Sequence, residues 1–206
     1  MAIQISTDTE LSAVNSILGS IGQSPITSLT TGNALQNPEI ALVVNLLTEA
    51  NKDVQTMGWH FNTEYRVLKS PDNNKNFSVP VNAILYDISD GQSDKTSDVV
   101  KRNGKLYDVI RQSYEFDGDR YIDSVLLINF DDVPAAVQRY IISRAAVRAA
   151  TQLVSNADLV KLLKVEEEQT RASAMEYETQ QGDHNFFGFP QDSTYNAYKP
   201  FKALAR

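Results

Sequence analysis

The chain's acid–base chemistry would have to come from carboxylates. It carries 26 Asp and Glu, only two histidines, His60 and His184, and no cysteine. Absence of Cys removes disulfides, thiol nucleophiles and Cys-based zinc sites, and fits folding in a reducing cytosol. Two acids flanking a glycosidic bond are one use of abundant carboxylates. Polysaccharide hydrolysis by a pair including Asp131 or Glu64 is therefore carried forward as an alternative. The other acids have simpler readings. Asp131-Asp132 stands where a helix start needs caps, and Glu166-Glu167-Glu168 reads as the solvated face of a long helix. Asp87, Asp90, Asp94, Asp98 and Asp117-Gly118-Asp119 raise the question of calcium. An EF-hand loop from Asp117 would need Gly at 122 and Glu at 128, and both are Ile. His60 falls on the non-aromatic side of an expected strand. His184 follows a helix end, where a cation suits the dipole. No phosphate-cradling, nucleophile-elbow or paired-His zinc motif occurs. No catalytic residue, cofactor-binding residue or metal ligand is assigned.

Two further groups carry binding chemistry. Arg139, Arg144 and Arg148 share one helix, and salt bridges to the acidic fourth helix are expected ahead of DNA contacts. Residues 182–206 hold Phe186, Phe187, Phe189, Tyr195, Tyr198 and Phe201 among Gly182, Gly188, Pro190 and Pro200, with no helical or strand period. Exposed rings are costly in water, and a solvated disordered tail is normally depleted in them. These six residues are the predicted interface, an extended segment that docks on the chain's own body or on another subunit.

A chain of 206 residues, 42% hydrophobic and 22% charged, is long enough for a sizeable core. Its apolar runs, Val125 to Ile128 and Ile40 to Val44 among them, are far short of the roughly 20 residues of a membrane helix, so no membrane partner is expected. Met1 to Asp8 lacks a basic region followed by an apolar stretch, so no secretory leader is expected. The net charge of −7 disfavours tight binding to a phosphate backbone while permitting DNA to slide past.

The elements that must position these groups follow from period and caps. Thr7-Asp8-Thr9-Glu10 predicts a capping box, and Leu11, Val14, Ile17, Leu18 and Ile21 a helical stripe ended by Gly22. Asn37-Pro38-Glu39 opens a second helix with a face from Ile40 to Met57, ended by Gly58. Alternation from Trp59 to Val67 predicts a half-buried strand, with Trp59 a core anchor. Further strands are expected near 77–81, 83–88, 99–102, 105–109, 120–122 and 124–130, with Asn103-Gly104 as a hairpin turn. Asp131-Asp132-Val133-Pro134 starts a third helix reaching about Val154. Asn156 caps a fourth that runs to about Gln181, supported by pairs four apart, Lys164–Glu168 and Glu167–Arg171. The expected fold is α+β: an antiparallel four-helix bundle (1–58 and 131–181) with an inserted β-rich subdomain (59–130) and an extended aromatic C-terminal tail (182–206).

Three blocks resemble one family. Glu10 to Leu18 with Ser20-Ile21-Gly22 and Pro25 resembles the opening helix of the tail tubular protein A family of T7-like short-tailed phages. Gly58-Trp59-His60-Phe61-Asn62 is similar to that family's Gly-Trp-x-Phe-Asn passage, and Met175-Glu176-Tyr177-Glu178 to its late-helix motif. The order and spacing agree across nearly the whole chain, whereas the loops and β insertion match poorly. The resemblance implies a structural virion protein without catalytic residues or cofactor. It implies a homo-oligomeric ring of twelve subunits joining the portal to the tail nozzle, tubular protein B, with fibres attaching near that junction. DNA would pass through the lumen without specific binding. The protein would be assembled in the host cytoplasm and located in the virion tail. The alternative then becomes a tail-associated polysaccharide hydrolase.

Overall fold

A computed structural model describes residues 8–29, 37–89 and 97–181. These residues form two compact units, a helical one made of the chain up to Asn62 together with Leu127–Glu178, and a β unit centred on Thr63–Leu126.

In the helical unit, α1 (Glu10–Ser20) is capped by Thr9, whose side chain accepts from the Ser12 N–H at 3.3 Å. The expected cap at Thr7 lies outside the described residues; Thr9 holds the cap position. A second free donor of α1, the Glu10 N–H, bonds Asp131 Oδ1 at 3.0 Å. Asp131 thus caps a helix 121 positions away, not the helix its own sequence opens. Asn37 caps α2 (Pro38–Gln55) as expected, accepting from the Glu39 N–H at 3.0 Å. Gly58 leaves α2 at φ +72°, a conformation that costs glycine nothing.

A short 3-10 turn, Phe130–Asp132, precedes α3 (Ala135–Ala149), which buries ten of its fifteen side chains and therefore has little solvent face. It packs on both α1 and α2. Val14, Ile17, Leu18, Val43, Leu47, Val54, Val137, Tyr140 and Ile141 share this core. A π-turn, Ala150–Val154, and Ser155 in the left-handed region separate α3 from α4 (Ala157–Gln181), which Asn156 caps.

The expected antiparallel four-helix bundle is not present. Of 25 residues in α4, Leu163 and Ala174 alone are buried. A bundle helix needs an apolar stripe along its whole length, and the charged run after Val165 breaks it. The core is three-helical; α4 adds Ala174 and the half-buried Tyr177 to it, while Leu163 packs on Val147 and Ala150. The α+β class itself holds.

In the β unit, β1 (Thr63–Lys69), β5 (Arg120–Leu126) and β2 (Ala83–Ile88) make an antiparallel sheet in the order β1-β5-β2, while β3 (Val99–Arg102) and β4 (Lys105–Asp108) form a hairpin. Asn103 and Gly104 both take positive φ, 52° and 71°, the geometry of the tight turn that Asn-Gly favours. Three expectations change. Trp59 to Asn62 leads into a 3-10 turn, not a strand. Residues 77–81 make a single bridge to β4, because Pro80 has no N–H to extend a ladder. The two segments expected at 120–130 are one strand ending at Leu126. Phe77, Val79, Leu106, Phe116 and Ile122 form the core, with Phe77 and Phe116 edge to face at 5.3 Å between centroids.

Asp108 is fully buried here, its Oδ1 accepting from the N–H groups of Ile110 (2.9 Å) and Arg111 (3.0 Å). Burial pushes its carboxyl up, but those bonds and the Arg111 charge outweigh burial and hold it below the usual carboxylate range. The sign follows: a depressed folded pKa gives stability that is present above the unfolded value and lost as pH falls through the folded one. The β unit is expected to lose urea resistance below about pH 4. Asp108→Asn should reduce that acid dependence. An unchanged acid limb in the variant would show that other groups set it.

Candidate functional site

Two of the three family-like segments meet at one junction of the helical unit. Trp59 is buried, and its indole N–H bonds the Val54 carbonyl. Asn62 Oδ1 accepts from the Trp59 N–H at 2.8 Å, while its amide donates to the Gln55 carbonyl at 2.9 Å. Gln55, also fully buried, donates to the Ile128 carbonyl and accepts from the Ile128 N–H, both at 2.8 Å. Glu178, from α4, accepts from the His60 N–H at 2.7 Å, and the neighbouring Tyr177 packs on the core. The Gly-Trp-His-Phe-Asn segment and the Met-Glu-Tyr-Glu segment are thus halves of one clamp. It fixes where the chain leaves α2, where it returns after β5, and where α4 ends. His60 contributes its backbone N–H to this clamp while the residue is exposed.

The arginines of α3 form a band that pairs with four acids. Arg139 pairs with Asp8 at 3.0 Å. Arg144 reaches Glu167 of α4 at 3.6 Å and Asp53 of α2 at 3.9 Å, and donates to the Tyr140 hydroxyl at 3.1 Å. Arg148 pairs with Asp53 and, at 4.0 Å, with Glu49. The expected pairing with α4 holds for Arg144. Arg148 is taken by α2, whose acids its sequence neighbours do not announce. Glu167 turns to Arg144, and neither expected pair within α4 is an ion pair. A cleft of about 220 Å³ lies at Arg144, lined also by Tyr140, Lys164, Glu167, Glu168 and Arg171.

Three of the acids weighed for catalysis or metal, Asp131, Glu64 and Asp117, are held by structural bonds. Asp131 caps α1, and Glu64 accepts from the Ser124 hydroxyl at 3.3 Å. Asp117 pairs with Lys75 at 2.8 Å, which lowers its pKa and raises that of Lys75 through the hydrogen bond and the charge. Among the described residues, no three His, Asp or Glu side chains converge on a common metal position. Asp90, Asp94 and His184 lie outside the described residues, as do all six predicted interface aromatics, Phe186, Phe187, Phe189, Tyr195, Tyr198 and Phe201.

Sequence reasoning passed over a basic patch on the β3–β4 hairpin. Arg102 lies 4.3 Å over the Tyr107 ring, and Tyr107 meets Tyr114 edge to face at 4.8 Å. Lys105 and exposed Val100 share that face, whereas Lys101, opposite buried Leu106, lies on the other. Three cations around an Asn-Gly turn, in a chain of net charge −7, were the signal available.

The model for a family described as Tail tubular protein matches residues 11–184. A relative, Tail tubular protein A of Klebsiella phage KP34, is 30% identical over 125 residues, which covers 61% of this chain and 62% of the relative. The matched stretch thus spans about three fifths of that curated relative's length.

Proposed function

This chain belongs to the tail tubular protein family, structural proteins of bacteriophage tails, and from that premise we propose that it is a ring-forming adaptor. Twelve copies would join the portal to the tail nozzle, with the genome passing through the lumen. One observation carries the reading. The helical unit is tightly packed on α1 to α3, yet α4 leaves Leu162 70%, Val165 53% and Met175 48% exposed. Isolated helices are marginal in water, and most helical stability comes from packing. A 25-residue helix with two buried side chains is a surface suited to a neighbour. A net charge of −7 suits a passage through which DNA must slide without adhering.

The aromatic residues of 182–206 complete the proposal as a docking strap for a neighbouring subunit or the portal. Deleting 182–206 is expected to leave a folded body that assembles poorly. Light scattering at high concentration, with and without portal, measures assembly, and circular dichroism measures folding. A truncated body that unfolds would place the segment in its own core. Full-length protein that stays monomeric under every condition would contradict the adaptor reading.

A further inference from the structure

We infer that, before assembly, the aromatic segment 182–206 packs on the outer face of its own chain's three-stranded sheet. The inference goes beyond the ring reading and does not rest on it. Only one side of the sheet meets the β core: Ile122 and Leu126 of β5, with Ala83, Tyr86 and Ile88 of β2, turn toward Phe77 and Phe116. Alternation along the strands sets the other side, where Leu68 stands opposite Tyr121 and Leu85 opposite Val125. Leu68 is 54% exposed, Leu85 51% and Tyr121 36%. Arg66, in the bulge of β1, lies 5.4 Å over the Tyr121 ring. An apolar row thus crosses all three strands and faces solvent.

The path of the chain names the occupant. The clamp holds Asn62, the residue before β1; Ile128, two residues after β5; and Glu178, three residues before α4 ends. Two strands are therefore tied, through one or two residues of chain, to the point where α4 ends. Thr179 to Gln181 already fall within the β unit, and residues 182–206 start from there. Extended, these 25 residues span about 80 Å, against about 23 Å for a seven-residue strand, so they reach the whole sheet. Six rings need cover in the free subunit as much as in an assembled one. Tethering supplies a local concentration on the order of millimolar, which a separate molecule rarely matches. The rival surface, α4, exposes Leu162 and Val165 and then no large apolar side chain before Met175. To cover it the segment must double back along the helix it has just left. Packing on the sheet adds cover without entering a core, so a truncated body stays folded, and assembly exchanges this site for one on a neighbour.

The chain has no cysteine, so a single Leu85→Cys in the full-length protein takes a maleimide benzophenone at one place. Irradiating the dilute monomer and mapping the linked peptides tests the contact. Links from Leu85→Cys to peptides of 182–206 are expected, within one chain and with a yield independent of protein concentration. Mixing with isotope-labelled chain separates links within a chain from links between chains. A second measurement uses exposed positions of the same face: with Leu68→Arg and Leu85→Arg together, chymotrypsin should cut the 182–206 segment about tenfold faster or more, because cleavage follows the population of the released segment. Circular dichroism confirms that the variant is folded. Links to the segment from Leu162→Cys on α4 but not from Leu85→Cys would overturn the inference, as would cleavage at the native rate in the double variant. Links that form only between chains would also overturn it and leave the ring reading intact. Monomers that link within one chain but never assemble would uphold it while the ring reading falls.

Discussion

Replacing Trp59 with alanine is expected to cost the helical unit about 3–5 kcal/mol, the range for removing a buried large aromatic. Trp59 is 3% exposed and stands among the core residues of the three helices. Its loss leaves a cavity and strips the Val54 carbonyl of the indole donor. It also loosens the residue whose N–H holds Asn62 Oδ1 in place. Since Trp59 is the chain's only tryptophan, its fluorescence can follow unfolding of the native protein, but helical circular dichroism must follow the variant. A urea midpoint close to that of the native protein would show that the junction does not secure the unit.

The second large effect is expected at Gln55. Its side chain satisfies both the N–H and the carbonyl of Ile128, where the chain re-enters the helical unit. Gln55→Leu conserves volume roughly but strands that peptide pair, at about 1–3 kcal/mol for each buried group left without a partner. A loss of about 3 kcal/mol follows, measured by chemical denaturation. Gln55 also donates to Asn51 Oδ1 at 2.8 Å, but half-buried Asn51 can bond water instead, so that loss adds little. A variant as stable as the native chain would mean that water replaces Gln55 at Ile128.

These residues also mark what the sequence could disclose. Local signals resolved well where the cause is local. Asn37-Pro38-Glu39 opens α2 because the cap, the fixed proline φ and the acid act within four residues. Asn103-Gly104 makes its hairpin because only those two positions must reach positive φ. The family, too, was readable from three short segments, and the comparisons agree with it. What failed depends on partners far along the chain. Asp131 is a helix cap, but for α1, and no window around it contains Glu10. Arg148 pairs across to α2 although the acidic run nearest in sequence lies on α4. The four-helix bundle was inferred from four helical segments of adequate length; α4 fails it because length does not supply an apolar face. Glu178 and His60 sit 118 positions apart, so the clamp joining the two motifs emerges only in the folded chain.

The ring itself is tested most directly by electron micrographs of the purified full-length protein, alone and mixed with portal. The adaptor reading predicts closed rings with a central hole, formed by the chain itself or on the portal surface. Uniform compact particles without a hole, in both preparations and at high concentration, would contradict it.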